Sequence, residues 1–529
     1  MSLTLMCRYI LPSLFIGHSC SGVIVYPKLL ESRADDGSLM LHVHAGLTLN
    51  LEKSSILANP VHFVSLSPED TNTAVLNGQD LDKNLYHDAA QRSSVTLEYA
   101  PGGIIVHGIL SGQYRIAPLV SSRSGSGDIA HSMEKIDNAT ASNSSGDSEE
   151  VPGNMHCVED KLENIAVKRP SVEVFNVELC FVVSKNYTAA FNASEDLLKY
   201  IGTMTNWAVL PYTDMVCPKI QFQVSKIIEV PDEFLFREKT CNITKNKLMY
   251  DSNTYICGYD AEETINSTVD YINACVQESC DIVYHLTSEE LTLVRSGNFI
   301  PEVEGMTTTA GVCTSDRFAI GEDVPYTYSG RVTLAHEIGH LLGCDHDGCP
   351  TALNCPHHYG NLMSHVHVDM QNKSKLSSCC MDKIRELVRR LPESCLDVNK
   401  TANFTNYFYP GENVTYKDFC ELMHPGIQVV PSYKNYVHKC QIKCCWNETL
   451  AYSTYSDEEE MFTVEEYSTA TEESKTDYGD YDGYENVCEP HDMLDGMRCD
   501  ESKTCYRGNC GTHNWTEIRL KYHTVRTFS

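Results

Sequence analysis

Basic side chains are scarce in this 529-residue sequence, which has 41 lysines and arginines against 72 aspartates and glutamates, a formal net charge of −31. A protein with this charge repels the phosphates of nucleic acids and the anionic headgroups of lipids. Long apolar runs are also absent: after the amino-terminal segment, no uncharged apolar run reaches the roughly 18 to 20 residues that span a bilayer. We therefore expect no nucleic-acid partner and no membrane span. The composition leaves the oligomeric state open.

Cysteine, in contrast, is abundant, with 24 residues in the chain. The reducing cytosol does not normally maintain disulfides at this density, so the sequence predicts an oxidising compartment. Many Asn-x-Ser/Thr sequons, the acceptors for glycans in secreted proteins, agree with it. The first three cysteines are Cys7, Cys20 and Cys157, so an odd number, 24 − 3 = 21, follows them. One thiol is then free, pairs with Cys157 or links two chains.

The composition changes along the chain and divides it into several parts. Residues 1–16 are mostly apolar and small residues follow, which is typical of a signal peptide, with a buried helix or strand as the alternative. We predict a signal peptide over 1–22, a mainly β unit over 23–170 with a polar linker over 121–150, an α/β domain over 171–398, and a cysteine-rich irregular region over 399–529 with an acidic, tyrosine-rich insert over 452–486.

The middle part, 171–398, alternates between two hydrophobic periods. Apolar runs predict strands at 172–183, 219–230 and 281–287, and amphipathic segments predict helices at 194–210, 261–277 and 383–391. A further helix opens near Ser329 and Gly330. The predicted fold class is therefore α/β (α+β), with a mixed sheet and a helix that carries the active site.

That helix contains the motif HEIGHLLGCDHD. Histidines four residues apart lie on one face of a helix, so His336 and His340 can direct their imidazoles at one metal ion, with Glu337 beside them. Gly343 can adopt the left-handed conformation that ends a helix, and the chain then turns back so that His346 supplies a third ligand. Three neutral nitrogens leave a fourth position for water, which is typical of catalytic zinc.

The spacing predicts a zinc-dependent hydrolase in which Glu337 is the general base. A chance occurrence of this pattern in a chain of this composition is expected on the order of a few times in ten thousand. Glu337 would take a proton from the attacking water and pass it to the leaving amine of a peptide bond.

Further residues give the motif a family resemblance. Asp347 directly follows the third histidine, and Met363 lies in the segment NLMS. Together with the long histidine motif they resemble the active site of the reprolysin (adamalysin) branch of the metzincin zinc peptidases, with Met363 in the Met-turn beneath the zinc. The segment that begins YPKLLESRADD resembles the opening of a reprolysin propeptide, and the overall organisation is similar to that of tick salivary reprolysins. There is no Arg-Gly-Asp triplet and no recognisable disintegrin module.

The resemblance assigns roles to the predicted parts. It implies that 23–170 is a propeptide, that 171–398 is a reprolysin-like zinc metalloprotease domain and that Met363 supports the imidazoles. It also implies a structural calcium ion, for which Glu178, Asp281 and the carbonyl of Cys395 fit the family pattern. The asparagine expected next is displaced by one residue, to Asn399.

Latency is the least determined feature of the sequence. A thiolate of Cys157 could occupy the open zinc position and hold a zymogen inactive, but the surroundings MHCVED differ from the family's Pro-Lys-x-Cys-Gly, and a disulfide is the alternative. Lys168 and Arg169 form the best processing site, although Pro170 would hinder many convertases.

Two functions remain open at this stage. The first is a secreted endopeptidase that cleaves extracellular proteins, with matrix or clotting proteins suggested by the resemblance alone. The second is a secreted binding protein whose acidic, cysteine-rich tail captures a ligand, with proteolysis incidental. Replacement of Glu337 distinguishes them, because only the first function needs the base.

Overall fold

The structure is a computed structural model of the chain. It describes residues 22–30, 39–67, 71–101, 103–123, 128–136, 172–215, 218–245, 253–275, 280–295, 298–301, 303–364, 375–396, 411–412, 414–424, 426–432, 437–447 and 486–515. The predictions that concern the signal peptide, Cys157, Lys168, Arg169, Asn399 and nearly all of the acidic insert lie outside these residues.

The amino-terminal part is built almost entirely from strands. They are β1 (Val23–Val25), β2 (Lys28–Leu30), β3 (Leu39–His44), β4 (Leu47–Lys53), β5 (Leu57–Leu66), β6 (Thr71–Leu76), β7 (Leu85–Asp88), β8 (Ser93–Ala100), β9 (Gly103–Leu110), β10 (Tyr114–Arg123) and β11 (Ile129–Lys135), with a short helix α1 (Gly78–Asp82) after β6. Nine of the strands form one sheet in the order β1-β11-β10-β9-β8-β7-β4-β3-β2. Successive side chains of a strand point to opposite faces of this sheet. In β4, Leu47, Leu49 and Leu51 are buried, while the residues between them are not.

The predicted polar linker over 121–150 is wrong where it covers 129–135. This segment is strand β11, which pairs antiparallel with both β1 and β10. Its polar composition hid the strand because one polar side chain is buried and satisfied: His131 accepts a hydrogen bond from the backbone N–H of Val106 at 2.9 Å. Ala130 and Met133 are buried beside it.

The middle part alternates strands and helices as predicted. The strands are β12 (Val174–Ser184), β13 (Lys219–Val230), β14 (Thr240–Lys245), β15 (Asn253–Asp260), β16 (Ile282–Thr287), β17 (Leu291–Arg295), β18 (Asn298–Ile300), β19 (Gly305–Thr307) and β20 (Phe318–Glu322). The helices are α2 (Lys185–Thr188), α3 (Ser194–Ala208), α4 (Asp232–Leu235), α5 (Ala261–Cys275), α6 (Arg331–Leu341), α7 (Ser378–Val388) and α8 (Glu393–Leu396), with 3₁₀ turns at Leu210–Asp214, Pro350–Ala352 and His357–Tyr359.

One helix boundary was predicted wrongly. The helix expected over 383–391 is α7, which begins at Ser378 and ends at Val388. It starts earlier because the Ser377 side chain caps it, accepting a hydrogen bond from the backbone N–H of Cys380 at 3.2 Å. The sequence did not indicate this start, because two adjacent cysteines occupy the first turn in place of a clear amphipathic pattern.

The central sheet joins the amino-terminal and middle parts. Its order is β19-β20-β16-β12-β13-β5-β6, so the hairpin β5–β6 continues the sheet of the α/β domain. Strand β5 pairs parallel with β13 through a register that includes Leu57 opposite Val224. Leu57 and Val61 are buried in the same apolar core as Val177 and Phe222. The predicted domain boundary at 170/171 therefore crosses a single sheet and a single core.

The amino-terminal part also anchors helix α6. Arg331, only 1% exposed, donates hydrogen bonds from Nε and Nη2 to the carbonyl of Gly112 at 2.9 and 2.7 Å. Gly112 has a φ of +67° and lies against Trp207, so that a Cβ at this position would be 3.1 Å from the indole. The indole N–H of Trp207 in turn donates to the carbonyl of Arg92 at 2.8 Å. A buried guanidinium left without such partners is strongly destabilising.

The carboxyl-terminal part is small and held by disulfides. It comprises α9 (Tyr416–Met423), β21 (Val430–Ser432), β22 (Gln441–Asn447), β23 (Asn486–Asp492), β24 (Arg498–Asp500), β25 (Lys503–Tyr506) and β26 (Asn509–Gly511), with a 3₁₀ turn at Val437–Lys439. It forms two three-stranded sheets, β21-β22-β23 and β24-β25-β26. It packs on the amino-terminal part, because Leu30 and Met40 belong to its apolar core.

Disulfides link many of the described cysteines. The pairs are Cys180–Cys280, Cys241–Cys257, Cys313–Cys395, Cys344–Cys380, Cys355–Cys379, Cys420–Cys444, Cys440–Cys505, Cys445–Cys488 and Cys499–Cys510. Among the cysteines that the structure describes, Cys275 is the free one, and it is exposed. No described helix is both long enough and apolar enough to cross a bilayer.

We expect the amino-terminal part to stay bound after the chain is cut. A protease site inserted between residues 137 and 150, upstream of Cys157, should yield two fragments that co-elute in non-reducing size-exclusion chromatography. The shared sheet and the contacts of Arg331 are then retained. An amino-terminal fragment that elutes at its own volume would contradict this prediction.

A matched pair of variants tests the contact at Gly112. Gly46 and Gly112 both have positive φ, +85° and +67°, so alanine strains both backbones, but a Cβ at Gly46 meets nothing within 4 Å. G112A should weaken fragment association by about 1–3 kcal/mol more than G46A, because only its Cβ presses on Trp207. Titration of the separated fragments, with the dissociation constant of each variant as readout, checks the difference.

Candidate active site

Helix α6 is fixed at both ends. Its first turn is held by Asp323, whose Oδ1 accepts a hydrogen bond from the backbone N–H of Gly330 at 2.9 Å. Its end is set by Gly343, which has a φ of +96° and lets the chain reverse. Leu334 and Ile338 are buried in the central core, so the opposite side of the helix presents the polar residues of the motif.

Three imidazoles converge beside this helix. The Nε2 atoms of His336 and His340 lie 3.1 Å apart, and each lies 3.2 Å from Nε2 of His346. His336 Nδ1 is 2.8 Å from the carbonyl of Leu362, and His340 Nδ1 is 2.8 Å from the carbonyl of Cys344. A carbonyl only accepts, so both Nδ1 atoms carry the proton and both Nε2 atoms offer a lone pair.

This donor set fits one metal ion. Three imidazole nitrogens within about 3 Å of one another repel as lone pairs unless a cation lies between them, and zinc binds imidazole at about 2.0–2.1 Å. Burial lowers the pKa of His340, which favours the neutral ring that a metal requires. The group is one of those whose ligand atoms are close enough together to share an ion.

Met363 packs against helix α6 at Gly339, next to His340 in the sequence. It is fully buried, and a Cβ on Gly339 would come within 2.5 Å of its sulfur. Gly339 stands between the two helical histidines, so the absence of a side chain there lets the methionine pack against the helix. On the same face, the hydroxyl of Tyr212 donates to the carbonyl of Ala335 at 2.6 Å.

Asp347 anchors the loop that carries His346 to Met363 and Ser377. Its backbone N–H donates to the carbonyl of Met363 at 3.0 Å, and its Oδ1 accepts from the hydroxyl of Ser377 at 2.6 Å. Ser377 is also the cap of α7, and the disulfide Cys344–Cys380 links the same loop to that helix. The loop that carries His346 is therefore held by a hydrogen-bonded carboxylate and a covalent bond.

Glu337 is buried next to strand β19. It is 5% exposed, and a Cβ on Gly305 of β19 would be 3.0 Å from its Oε1. Burial raises the pKa of Glu337 to about 8, and the negative charge of Glu304 adds to this shift. A carboxylate in such surroundings gains from a cation nearby, which agrees with a metal at the three imidazoles.

The residues expected to bind calcium are only partly brought together. Asp281 Oδ2 accepts a hydrogen bond from the backbone N–H of Glu178 at 2.8 Å, and the disulfide Cys313–Cys395 places Cys395 near the same carboxylate. Burial, together with the charge of Glu178, raises the pKa of Asp281 to about 6. Asn399 lies outside the described residues, and the calcium site stays a prediction.

Sequence reasoning missed three residues of the site. Gly339, Gly305 and Tyr212 were not singled out, although the first lies within the histidine motif. A glycine inside a helix costs about 1 kcal/mol relative to alanine, which was the available signal that something packs there. Gly305 and Tyr212 carried no comparable signal, because their roles arise from elements distant in sequence.

Comparison with known proteins agrees with this geometry. Residues 175–381 match the family model Reprolysin_5, described as Metallo-peptidase family M12. This part of the chain is a reprolysin-type zinc metalloendopeptidase domain. The match begins at the second residue of β12 and ends within α7, so it contains the converging imidazoles and most of the central sheet.

Relatives of the reprolysin domain extend the likeness beyond it. The chain is 25% identical to the venom metalloproteinase BumaMPs1 of Olivierus martensii over 69% of this chain and 90% of the relative. It is 24% identical to the venom metalloproteinase antarease TserMP_A of Tityus serrulatus, over 60% and 80%. It is 30% identical to a disintegrin and metalloproteinase with thrombospondin motifs 13 of Mus musculus, over 36% and 12%.

We expect Gly339 to be essential to the metal site of the reprolysin domain. In G339A the new methyl group meets the Met363 sulfur, and relieving this overlap should displace the methionine at a cost of about 1–3 kcal/mol. The bound zinc per chain and the thermal midpoint should both fall.

The matched control is G202A, another glycine within a helix, whose Cβ meets Leu57 at an ordinary 3.4 Å. Helix propensity favours alanine at both positions, so G202A should keep its zinc and its stability. Equal zinc content in G339A and G202A would show that close packing of Met363 is not required.

Proposed function

We propose that this chain is a secreted zinc endopeptidase that hydrolyses peptide bonds of extracellular proteins. The observation that carries the proposal is the convergence of three Nε2 atoms within 3.1–3.2 Å, two of them from the helix that also carries the buried Glu337. His336, His340 and His346 would hold the zinc ion. When bound, zinc supplies a Lewis acid that makes water nucleophilic and polarises a carbonyl at neutral pH.

In this proposal Glu337 moves the proton. It follows His336 directly on α6 and is buried, with Gly305 of β19 next to its Oε1. It would accept the proton of the attacking water and deliver it to the leaving amine nitrogen. Met363 touches no substrate in this scheme; it supports the imidazoles from below, with Asp347 fixing the loop of His346.

The edge of the central sheet suggests how a polypeptide would be held. Strand β19 ends the sheet among the described strands and is hydrogen-bonded to β20 on one side only. An extended peptide can add to such an edge through main-chain hydrogen bonds, without selecting a terminus. Since Gly305 of β19 lies against Glu337, a peptide bound there would pass the active site, which favours internal cleavage.

Secretion is supported by covalent chemistry. Disulfides tie together both the catalytic domain and the tail, and such bonds persist in an oxidising compartment. Matrix or clotting proteins are proposed as substrates from the family resemblance alone. A propeptide over 23–170, with Cys157 as the latency thiol and Arg169 as the processing point, remains part of this proposal, as does the structural calcium ion.

We expect E337Q to abolish proteolysis while leaving the metal in place. Removal of a general base typically lowers kcat by about 10²–10⁴-fold, and the three imidazoles are untouched. Cleavage of a quenched fluorescent peptide library and zinc content by mass spectrometry are the two measurements. The control is E262Q, an exposed glutamate in the first turn of α5, which should retain full activity.

The E337Q variant also distinguishes the hypothesis of an enzyme from that of a binding protein. If E337Q keeps its zinc and also keeps wild-type cleavage, the assignment of Glu337 fails. If it loses cleavage but keeps the whole biological effect of the protein, the effect comes from ligand capture by the tail.

A further inference from the structure

A second group of imidazoles lies in the carboxyl-terminal part. His424 directly follows α9, and His491 lies in β23. Their Nε2 atoms are 3.0 Å apart. Glu489 stands two residues before His491, on the same face of the strand, and its Oε2 is 3.8 Å from His424 Nε2 and 4.0 Å from His491 Nε2.

This spacing repeats the spacing of the active-site imidazoles. There the Nε2 atoms are 3.1–3.2 Å apart and converge on the metal position. In the tail, two Nε2 atoms and one carboxylate oxygen likewise point into one small volume. Two neutral rings at this distance either share a single proton or share a cation, and the carboxylate oxygen within 4.0 Å of both nitrogens can supply a third ligand to such a cation.

The side chains of this group are mostly buried. The side chains of His491, His424 and Glu489 are 3%, 10% and 26% exposed. The rings of His424 and Trp446 lie 4.4 Å apart, which fixes the imidazole. Burial lowers the pKa of both histidines and raises that of Glu489.

Cys444 does not complete this set as a thiolate. Its sulfur lies within 4.8 Å of both imidazole nitrogens, but it is bonded to Cys420 in a disulfide. Two nitrogens and one carboxylate oxygen are then the protein donors, a set that suits zinc and similar divalent transition metals. A fourth position is left for water.

We propose that His424, His491 and Glu489 form a second divalent metal site, which binds zinc and has a structural role. The ion would link the end of α9 to β23 at the face that meets the amino-terminal part. There Thr48 donates to the sulfur of Met423 at 3.4 Å, and Gln91 donates to Asp492 at 3.2 Å. The site would stabilise the tail and its contact with the amino-terminal sheet.

The test counts metal ions in the full chain by mass spectrometry after dialysis against micromolar free zinc. Wild type should bind two zinc ions and the double variant H424Q/H491N one, with peptidase activity retained. H513Q replaces another histidine of the tail, one placed next to the carbonyl of Asn509, and should keep both ions. Equal zinc content in H424Q/H491N and wild type would overturn the proposal.

A second variant keeps the test decisive if H424Q/H491N does not fold. The triple variant H336N/H340N/H346N lacks the active-site imidazoles but keeps the tail, so it should bind one zinc ion. With Co²⁺ it should show the visible absorption of a nitrogen- and oxygen-bound ion. Absence of any bound ion in the triple variant would mean that His424 and His491 share only a proton.

The same measurements separate this proposal from the proposed function. If only the three imidazoles of the proposed active site did not bind zinc, wild type and the triple variant would have equal zinc content, one ion each. Failure of the tail site alone would leave wild type and H424Q/H491N with equal content.

Discussion

The carbonyl groups of Leu362 and Cys344 are the constraint on which the active site depends. Each fixes the proton of one imidazole on Nδ1 and so directs Nε2 toward a common point. Those carbonyls are themselves held, because Met363 packs on Gly339 and the Cys344–Cys380 disulfide joins the loop to α7. Two of the three nitrogens are therefore oriented by backbone carbonyls outside the helix, and one of these carbonyls, that of Leu362, is 26 residues from its histidine.

A second constraint acts from the amino-terminal part. Helix α6 begins with a buried arginine whose partner is the carbonyl of Gly112, and the sheet beneath the helix is continued by β5 and β6. The part of the chain that resembles a propeptide thus supplies a neighbour for β13 and an anchor for the helix that carries His336 and His340. Catalytic geometry and the amino-terminal sheet form one packed structure.

Features that depend on residues close in sequence were predicted, whereas contacts between residues distant in sequence were missed. Helical spacing placed His336 and His340 together, and a glycine at 343 indicated the reversal toward His346, because these features need only backbone geometry. Strands and helices with clear periodicity, such as β13 and α3, were predicted with small errors. The pairing of β5 with β13, the packing of Met363 on Gly339 and the approach of His424 to His491 depend on tertiary contacts. In β11 the buried, hydrogen-bonded His131 contributed to a polar composition that resembled a linker.

The parallel pairing of β5 with β13 bears on how the chain acquires its structure. Leu57 lies opposite Val224, so this part of the sheet closes only after the residues between them have been synthesised. Pairings between such distant residues are slow to form, and an unpaired strand edge is a template for association with other chains. The hairpin β5–β6 leaves the ribosome first and awaits its partner. Once paired, this hairpin covers the edge of β13 that would otherwise be exposed.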